Sequence, residues 1–362
     1  MKPINRKFLK LKKIINSLCL PIVFFRRFHS PLYVKNIMVL DCHLIGDIVM
    51  LIPFLESLRA AYPKANITLI AGPWAKEILM RNELLVDEFV DLIAPWVKKG
   101  GNLFSGLLNL VRVIFLLRKK RWDLAVEMRG DFRQIFFLWL CGPKIFYGLD
   151  LTGGGPLLTH VVDDDGQYAH IMDHHKNIAI AMGIVDKNYQ YLPRIYLTDL
   201  ERKSSLLVAP FIGIHFGASN KLRQFEPADA FALIDLVLKS REDRMVIFET
   251  LEYPPMTSII NQYLDHPRIT FWRGDLREFI ITVSRCLEFY CMDSGPSHIS
   301  AALGIKTSIF FGPANSNLVA PFGPHVRIIE NSGLSCKPCD QYVCHNSIYK
   351  KCLVGLPFAV NN

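Results

Sequence analysis

The stretch that decides the fold is FYCMDSGPSHISAALGIKTSIFFGP, residues 289–313. It contains an apolar run, the polar segment DSGPSH, a small-residue segment with helical spacing, and a second apolar run. Two short apolar runs separated by a helix are typical of buried parallel strands with a crossover connection. The polar segment therefore falls at the carboxyl end of a strand, where open α/β sheets bind their ligands.

The same alternation of strands and helices occurs in two halves of the chain, separated by a break at 187–207. We therefore predict an α/β protein with two Rossmann-like domains that face an interdomain cleft. The predicted divisions are a basic amphipathic arm at 1–35, the two domains at 36–195 and 205–335, and a Cys-rich tail at 336–362.

The basic charge of the protein is concentrated in the arm. The chain has 42 Lys and Arg against 33 Asp and Glu, a formal net charge of +9. Nine of the basic residues and none of the acidic ones lie in 1–35, so the rest of the chain is neutral. A neutral body argues against a surface that binds nucleic acid, and we predict no nucleic-acid partner.

The arm has an amphipathic pattern with Phe8, Leu11, Ile15 and Leu18 on one helical face and lysines on the other flank. Its apolar segment at 14–25 is too short to span a bilayer, and it lacks the small-residue cleavage site of a secretory signal. Two interpretations stay open. The helix packs on the body of the protein, or it lies in the plane of an anionic membrane surface.

The first polar junction is HLIGDIVM, which follows the first predicted strand. Gly46 permits a tight turn there, and Asp47 begins the next helix. An Asp in the first turn of a helix is often a cap that the helix dipole stabilises. The functional alternative is a general base that faces the cleft.

The second junction is HFGASNKLRQFEP, which follows a strand of the second half. Small residues, backbone N–H groups and a helix start, together with Lys221 and Arg223, form a pattern typical of an anion site. The alternative is a solvated polar loop. The glycine and lysine spacing of a Walker P-loop is absent.

The third junction is DSGPSH at 293–298, within the opening stretch. Pro296 suits the first turn of a helix, whose free N–H groups favour a diphosphate. The segment lacks the Gly-x-Ser-x-Gly turn of Ser hydrolases, and no Gly-x-Gly-x-x-Gly follows the first strand. These absences argue against a nucleophilic triad and against a dinucleotide-dependent dehydrogenase.

Four of the nine cysteines are clustered in CKPCDQYVCHNSIYKKC, at Cys336, Cys339, Cys344 and Cys352. Four thiolates with this spacing suit a tetrahedral structural site for zinc, or for a single iron, with His345 as an alternative ligand. Reduced thiols or two disulfides are the alternatives. A closed site would stabilise the tail and take no part in catalysis.

Three pieces of the chain resemble glycosyltransferase family 9, the heptosyltransferases of lipopolysaccharide core assembly: IGDIVMLIPFLESLRAAYP, IGIHFGASNKLRQFEPADAFALI and CMDSGPSHISAALGIKTSIFFGP. The resemblance implies a GT-B fold and an inverting enzyme that needs no cofactor or metal for its chemistry. It also implies a nucleotide-sugar donor, usually ADP-heptose, and a lipid-linked saccharide acceptor. The protein would then be cytoplasmic and peripheral at the inner membrane.

The resemblance also implies roles for individual residues. Asp47 in the Gly-Asp motif would be the base that deprotonates the acceptor hydroxyl. The positions that match the donor-binding motifs are Gly46, Ser219, Arg223, Glu252, Asp293, Ser294, Gly295 and His298. Of these, Arg223 would hold the donor diphosphate, Ser219 would contact a phosphate, and Glu252 would contact the ribose.

The chain departs from the family pattern before the Gly-Asp motif. The family usually has Lys or Arg six residues before the aspartate, and this chain has Asp41. The departure indicates an altered donor or acceptor contact, or lost activity. The alternatives are therefore another nucleotide sugar, a protein acceptor, or a nucleotide-sugar-binding protein without catalysis.

Overall fold

The computed structural model forms two compact units, Met1–Tyr191 and Leu192–Asn362. The residues that it describes are 6–23, 33–80, 85–96, 103–162, 170–204, 210–251, 253–339 and 343–356. Among the helices of these residues, none combines the length and the apolar character that a membrane crossing requires.

The first unit contains a six-stranded parallel sheet in the order β3-β2-β1-β4-β5-β6. Its strands are β1 (Asn36–Asp41), β2 (Asn66–Ala71), β3 (Glu88–Asp91), β4 (Leu124–Glu127), β5 (Ile145–Leu149) and β6 (His160–Val162). The apolar runs form strands because both faces of the sheet are covered by helices, so β1 and β4 are buried on both sides.

The helices of the first unit are α1 (Arg6–Val23), α2 (Ile45–Ala61), α3 (Trp74–Leu79), α4 (Leu103–Arg118), α5 (Phe132–Cys141) and α6 (Ile171–Ala181). α2 packs against α3 and α6, while α4 packs against α5. Leu110 and Val113 of α4 share one apolar core with Met38 and Leu40 of β1. Because Met38 and Leu40 point to the same side of β1, α4 lies over that face of the sheet.

The helix α1 packs on the first unit through one face. The Asn16 side chain donates to an oxygen of Asp150 at 2.8 Å and accepts from the Gly154 N–H at 2.7 Å. Ile15 lies against Gly153, so it is on the packed face and apart from the exposed Leu11 and Leu18. The side chain of Phe8 lies outside the described residues. The arm thus packs on the body and still exposes an apolar face.

The second unit repeats the architecture with a parallel sheet in the order β12-β11-β10-β7-β8-β9. Its strands are β7 (Phe211–His215), β8 (Met245–Phe248), β9 (Ile269–Trp272), β10 (Cys286–Met292), β11 (Lys306–Phe311) and β12 (Val326–Glu330). Its helices are α7 (Asp199–Lys203), α8 (Pro227–Ser240), α9 (Met256–Tyr263), α10 (Leu276–Val283), α11 (Gly295–Ala302) and α12 (Ser316–Val319). Leu353 and Leu356, from the segment after β12, complete its core.

Each sheet has the strand order that is typical of Rossmann folds, which confirms the predicted α/β class with two Rossmann-like units. In such a sheet the strand order reverses between the first and fourth strands, and ligands bind beyond the carboxyl ends of these two strands. The reversal lies between β1 and β4 in the first unit, and between β7 and β10 in the second. All three polar junctions of the sequence follow one of these four strands.

Candidate functional site

Asp47 lies in the first turn of α2, just beyond β1. One carboxylate oxygen accepts from the Leu44 N–H at 3.0 Å, so Asp47 does cap the helix. The other oxygen accepts from the Arg129 guanidinium at 2.8 Å. The side chain keeps 15% of its surface exposed, so capping does not bury it. Each oxygen has a further lone pair, and the carboxylate can accept another hydrogen bond from a ligand. Gly46, which precedes it, is buried.

Arg129 brings a positive charge to this junction from the neighbouring strand. It lies two residues beyond β4, which pairs with β1. Burial alone would lower the pKa of Arg129, but the carboxylates of Asp47, Asp41 and Glu127 raise it. The guanidinium is therefore a fixed cation at the point where the strand order reverses.

Asp41 ends β1 as a fully buried carboxylate. One of its oxygens accepts from the His43 N–H at 3.1 Å and lies 3.1 Å from the His43 ring Nδ1. Burial opposes its ionisation, but the hydrogen bond and charge of His43 and the charge of Arg129 outweigh burial and lower the pKa to about 2. The residue that departs from the family pattern is therefore a charged carboxylate with local partners.

Glu127 and His175 are two buried titratable groups close to Asp41 and Arg129, and burial keeps both of them neutral. Burial raises the pKa of Glu127 to about 8, against two hydrogen bonds from the N–H groups of Arg129 and Gly130. Burial lowers the pKa of His175 to about 4, and its ring Nδ1 lies 3.3 Å from the Met50 carbonyl oxygen. At neutral pH both side chains are uncharged, so the net charge here comes from Asp41, Asp47 and Arg129.

The loop after β7 is shaped by close packing and side-chain caps. A Cβ at Gly217 would lie 2.6 Å from the Thr250 side chain, so a larger residue does not fit. The Gln224 side chain donates to the Ala218 carbonyl at 2.6 Å. Asn220 caps the short turn Lys221–Arg223 by accepting from the Leu222 N–H at 2.9 Å. Ser219 is exposed in the same loop, four residues before Arg223.

Arg223 and Asp293 form an ion pair across the β7–β10 junction, with 3.2 Å between the nearest nitrogen and oxygen. Asp293 is almost fully buried while Arg223 is partly exposed. Burial raises the pKa of Asp293, and the charges of Arg223 and Lys337 oppose that rise. The ion pair holds the Arg223 guanidinium in place and leaves part of that side chain accessible to a ligand.

The amino end of α11 lies beside Asp293. Ser294 precedes the helix, but its hydroxyl donates to the Met292 carbonyl at 3.2 Å and does not cap the first turn. Pro296 occupies the first turn, as the sequence predicts. Gly295 begins the helix, and His298 is buried one turn into it. An anion near Gly295 would be stabilised by the helix dipole.

Lys350 connects the segment after β12 to the loop after β7, and Lys337 connects that segment to the end of β12. Lys350 is buried, donates to the Gln224 carbonyl at 3.0 Å and forms a 2.8 Å ion pair with Glu226. Lys337 forms an ion pair with Glu330 at 2.5 Å. The segment that carries the cysteine cluster is therefore part of the structure that supports Arg223.

All nine cysteines are described, and all are free thiols. Cys336 is exposed, while Cys339, Cys344 and Cys352 are partly buried. Burial raises the pKa of Cys352, and the neighbouring charges of Cys339 and Cys344 raise it further. Across the parts of the chain that the structure describes, His, Cys, Asp and Glu side chains form no group of three or more arranged to hold a metal ion.

The structure thus gathers two sets of the predicted residues, one in each unit. Asp47 and Gly46 lie in the first unit, and Arg223, Asp293, Ser294, Gly295 and His298 meet at one strand-order reversal in the second. Glu252 lies outside the described residues. Sequence reasoning missed Arg129 and Lys350. The basic residue directly after the predicted strand WDLAVEM was the available signal for Arg129, because a fourth Rossmann strand ends beside the first.

The family model for "Glycosyltransferase family 9 (heptosyltransferase)" matches residues 110–350, which is more than half of the chain. The chain belongs to glycosyltransferase family 9. It is therefore a glycosyltransferase of the heptosyltransferase family, and the predicted GT-B fold class is confirmed. Lipooligosaccharide heptosyltransferase 2 of Haemophilus influenzae is 22% identical over 319 residues, which cover 81% of this chain and 88% of that protein.

Solved structures of other glycosyltransferases share the fold of this family 9 member. The structure of Escherichia coli ADP-heptose lipopolysaccharide heptosyltransferase II superposes with a TM-score of 0.68 at 18% identity, covering 89% of this chain and 94% of that one. The iron-containing dodecameric glycosyltransferase TibC from enterotoxigenic E. coli gives a TM-score of 0.51 at 14% identity, covering 85% of this chain and 65% of that one.

Proposed function

We propose that the protein transfers heptose from ADP-heptose to a saccharide acceptor of a lipopolysaccharide core, with inversion and without a catalytic metal. The names of the family 9 relatives supply the donor and acceptor classes. The observation that carries the proposal is the partly exposed carboxylate of Asp47. It lies at the strand-order reversal of the first unit, and Arg129 and the Leu44 N–H fix its orientation.

In this mechanism the acceptor hydroxyl attacks the anomeric carbon of the heptose as its proton passes to Asp47. The bond from the anomeric carbon to the diphosphate oxygen breaks in the same displacement, and ADP leaves with the bonding electrons. One displacement inverts the anomeric configuration. The ion pair with Arg129 and the bond from Leu44 hold the carboxylate in one orientation for this proton transfer.

The diphosphate would bind at the amino end of α11 and to Arg223. Charge develops on the leaving oxygen in the transition state, and fixed N–H groups and a guanidinium stabilise it there. Asp293 acts through Arg223, because its buried carboxylate holds that side chain in place. Ser219 would add a hydroxyl contact to a phosphate, and Glu252 would contact the ribose.

The experiment that tests this mechanism compares Asp47→Asn with the control Asp91→Asn. Asp91 has an exposed carboxylate that forms an ion pair with Lys76 on the surface. Asn keeps the size of Asp but cannot take a proton. We expect Asp47→Asn to reduce ADP release at least about 100-fold, the usual contribution of a general base. Donor binding by calorimetry stays near wild type. Turnover close to wild type in Asp47→Asn would remove Asp47 from the mechanism.

Asp41 motivates a second candidate, because a carboxylate stands where the family usually has a basic residue. The chain would then use another nucleotide sugar or a protein acceptor, or bind a nucleotide sugar without turnover. A donor that binds only the native state raises the apparent stability, so a thermal-shift screen of nucleotide sugars identifies it. Stabilisation by ADP-heptose together with ADP release favours the first candidate, and stabilisation without release favours the binding protein.

We further propose that Cys336, Cys339, Cys344 and Cys352 hold a structural zinc or iron. Four thiols have the right donor chemistry, and an iron-containing relative shares the fold. Among the described residues these side chains are not gathered into a metal geometry. Elemental analysis of the purified protein should find close to one metal per chain. Absence of bound metal in protein purified with added zinc or iron would contradict the proposal.

The place of action that we propose is the cytoplasmic face of a bacterial inner membrane, where the lipid-linked acceptor is available. The arm supports this proposal because α1 exposes Leu11 and Leu18, together with the exposed Lys10 and Lys13. Basic amphipathic helices of this kind bind anionic surfaces through apolar burial and charge attraction.

A further inference from the structure

The helix α4 is apolar on both of its faces. Leu110, Val113 and Leu117 are buried in the core of the first unit. On the opposite face, Leu108 is 55% exposed and Phe115 is 67% exposed. A helix with apolar side chains on two opposite faces normally has both faces covered by protein or by lipid. Three more apolar side chains of α4 are exposed: Leu107, Val111 and Leu116.

Basic residues accompany the exposed apolar side chains of α4, and acidic residues do not. Arg112, Arg118 and Lys119 are exposed on or directly after the helix. The sequence of α4, LFSGLLNLVRVIFLLR, contains no Asp or Glu, and the same is true of α1. Both helices therefore combine exposed apolar side chains with positive charge alone.

The helices α1 and α4 lie on the same side of the sheet. Cys19 of α1 belongs to the same buried core as Leu110 and Leu117 of α4. Between them lies α5, which packs against α4 and against the turn Gly155–Leu157, and α1 contacts that same turn. The outward faces of both helices thus belong to one layer of the first unit.

We propose that α1 and α4 together form a docking surface for an anionic lipid bilayer. Leu108 and Phe115 enter the interfacial region, and Arg112 and Lys119 contact the headgroups. A second copy of this chain fits the surface less well, because a symmetric dimer would place basic helices against each other. The inference rests on the membrane location proposed above for the arm and extends the contact to α4, while it does not depend on the transferase chemistry.

The test measures binding of the full chain to vesicles by flotation. The vesicles contain phosphatidylcholine alone or phosphatidylcholine mixed with phosphatidylglycerol. We expect binding only to the anionic vesicles, with loss at high salt. The double variant Leu108→Glu/Phe115→Glu should bind at least about tenfold more weakly, because charges replace the inserted side chains. Its circular dichroism should match wild type, since both side chains are exposed.

A matched control is Leu264→Glu, in which an exposed leucine of the second unit (64% exposed) acquires the same charge. It should bind vesicles like wild type. Ile14→Glu/Leu18→Glu tests α1 and should also weaken binding. If the α4 variant binds like wild type, or only the α1 variant loses binding, the α4 surface is overturned. It is also overturned if vesicles do not bind and the α4 variant instead dissociates a wild-type dimer in sedimentation velocity.

Stabilisation by nucleotide sugars separates this proposal from the proposed function. The α4 variant should keep the donor-induced thermal shift of wild type, because α4 lies outside the residues assigned to the donor. Loss of vesicle binding with an intact donor response supports the docking surface alone. Loss of the donor response together with the circular dichroism signal would mean that α4 is needed for folding, which overturns the surface.

Discussion

Glu127 offers a test of how burial controls charge in the first unit. Its carboxyl group is fully buried at the end of β4 and accepts from the N–H groups of Arg129 at 3.0 Å and Gly130 at 2.6 Å. Burial nevertheless raises its pKa from 4.5 to about 8, with the charges of Asp131 and Asp41 acting in the same direction. The group therefore titrates at a higher pH in the folded chain than in the unfolded chain.

The sign of the effect on stability follows from this difference. Between pH 4.5 and pH 8 the folded protein keeps a proton on Glu127 that the unfolded chain has released. The contribution of that proton to the free energy of unfolding is fully present below pH 4.5 and is lost as the pH rises through 8. Each pKa unit corresponds to about 1.4 kcal/mol, so the free energy of unfolding loses about 5 kcal/mol over this range.

The variant Glu127→Gln removes the titration and keeps the shape. Its amide costs about 1–3 kcal/mol through one poorly matched backbone hydrogen bond, and this cost is the same at every pH. In urea unfolding, the free energy of unfolding of the variant should therefore increase relative to that of wild type by several kcal/mol between pH 5 and pH 9. Buried histidines such as His175 titrate in both proteins, so their contributions cancel in the comparison.

The control for this experiment is Glu242→Gln, because the Glu242 side chain is 98% exposed. Its difference from wild type should stay constant across the same pH range. Parallel pH profiles for Glu127→Gln and wild type would refute the reasoning, because they would mean that Glu127 is already ionised in the folded protein.

Three other substitutions test the second unit by urea unfolding. Arg277→Met leaves Glu201 buried without its 3.0 Å partner and should cost about 3–5 kcal/mol; a cost under about 1 kcal/mol would contradict the importance of the pair. Gly213→Ala would place a Cβ 2.6 Å from the Phe289 ring and should cost about 1–3 kcal/mol; a neutral effect would show that the ring moves easily. Lys350→Met removes the hydrogen bond to the Gln224 carbonyl and should lower the free energy of unfolding by about 1–3 kcal/mol. It should also weaken the binding of the nucleotide sugar in calorimetry. Unchanged donor affinity would mean that Lys350 does not support Arg223.

Local patterns were sufficient for the central strands and for the residues of the polar junctions, but they did not indicate β3, β5, β6, β9 or β12. Apolar runs such as those that contain Leu40 and Tyr290 form central strands, because helices cover both sheet faces. Asp47 and Arg223 were predicted because each lies within a few residues of a strand end and a helix start.

Contacts between distant parts of the chain were not predictable from these patterns. The predicted Rossmann order places the end of β4 beside the end of β1, but the pattern around residue 129 does not show that the Arg129 side chain meets Asp47. The bond from Lys350 to Gln224 depends on the path of the segment after β12. The amphipathic pattern of α1 also could not show that Ile15 faces the body, because helical spacing does not define which apolar side chains find a partner.

The contribution of Leu353 and Leu356 to the second core affects how this protein folds during synthesis. Domains emerge from the ribosome in order, with the amino-terminal one first. The first unit has all of its core residues available early. The second unit lacks part of its apolar core, which includes Phe225 and Phe310, until residues 353–356 have left the exit tunnel. Translation that stops shortly after β12 would therefore release a chain prone to aggregation and dependent on chaperones.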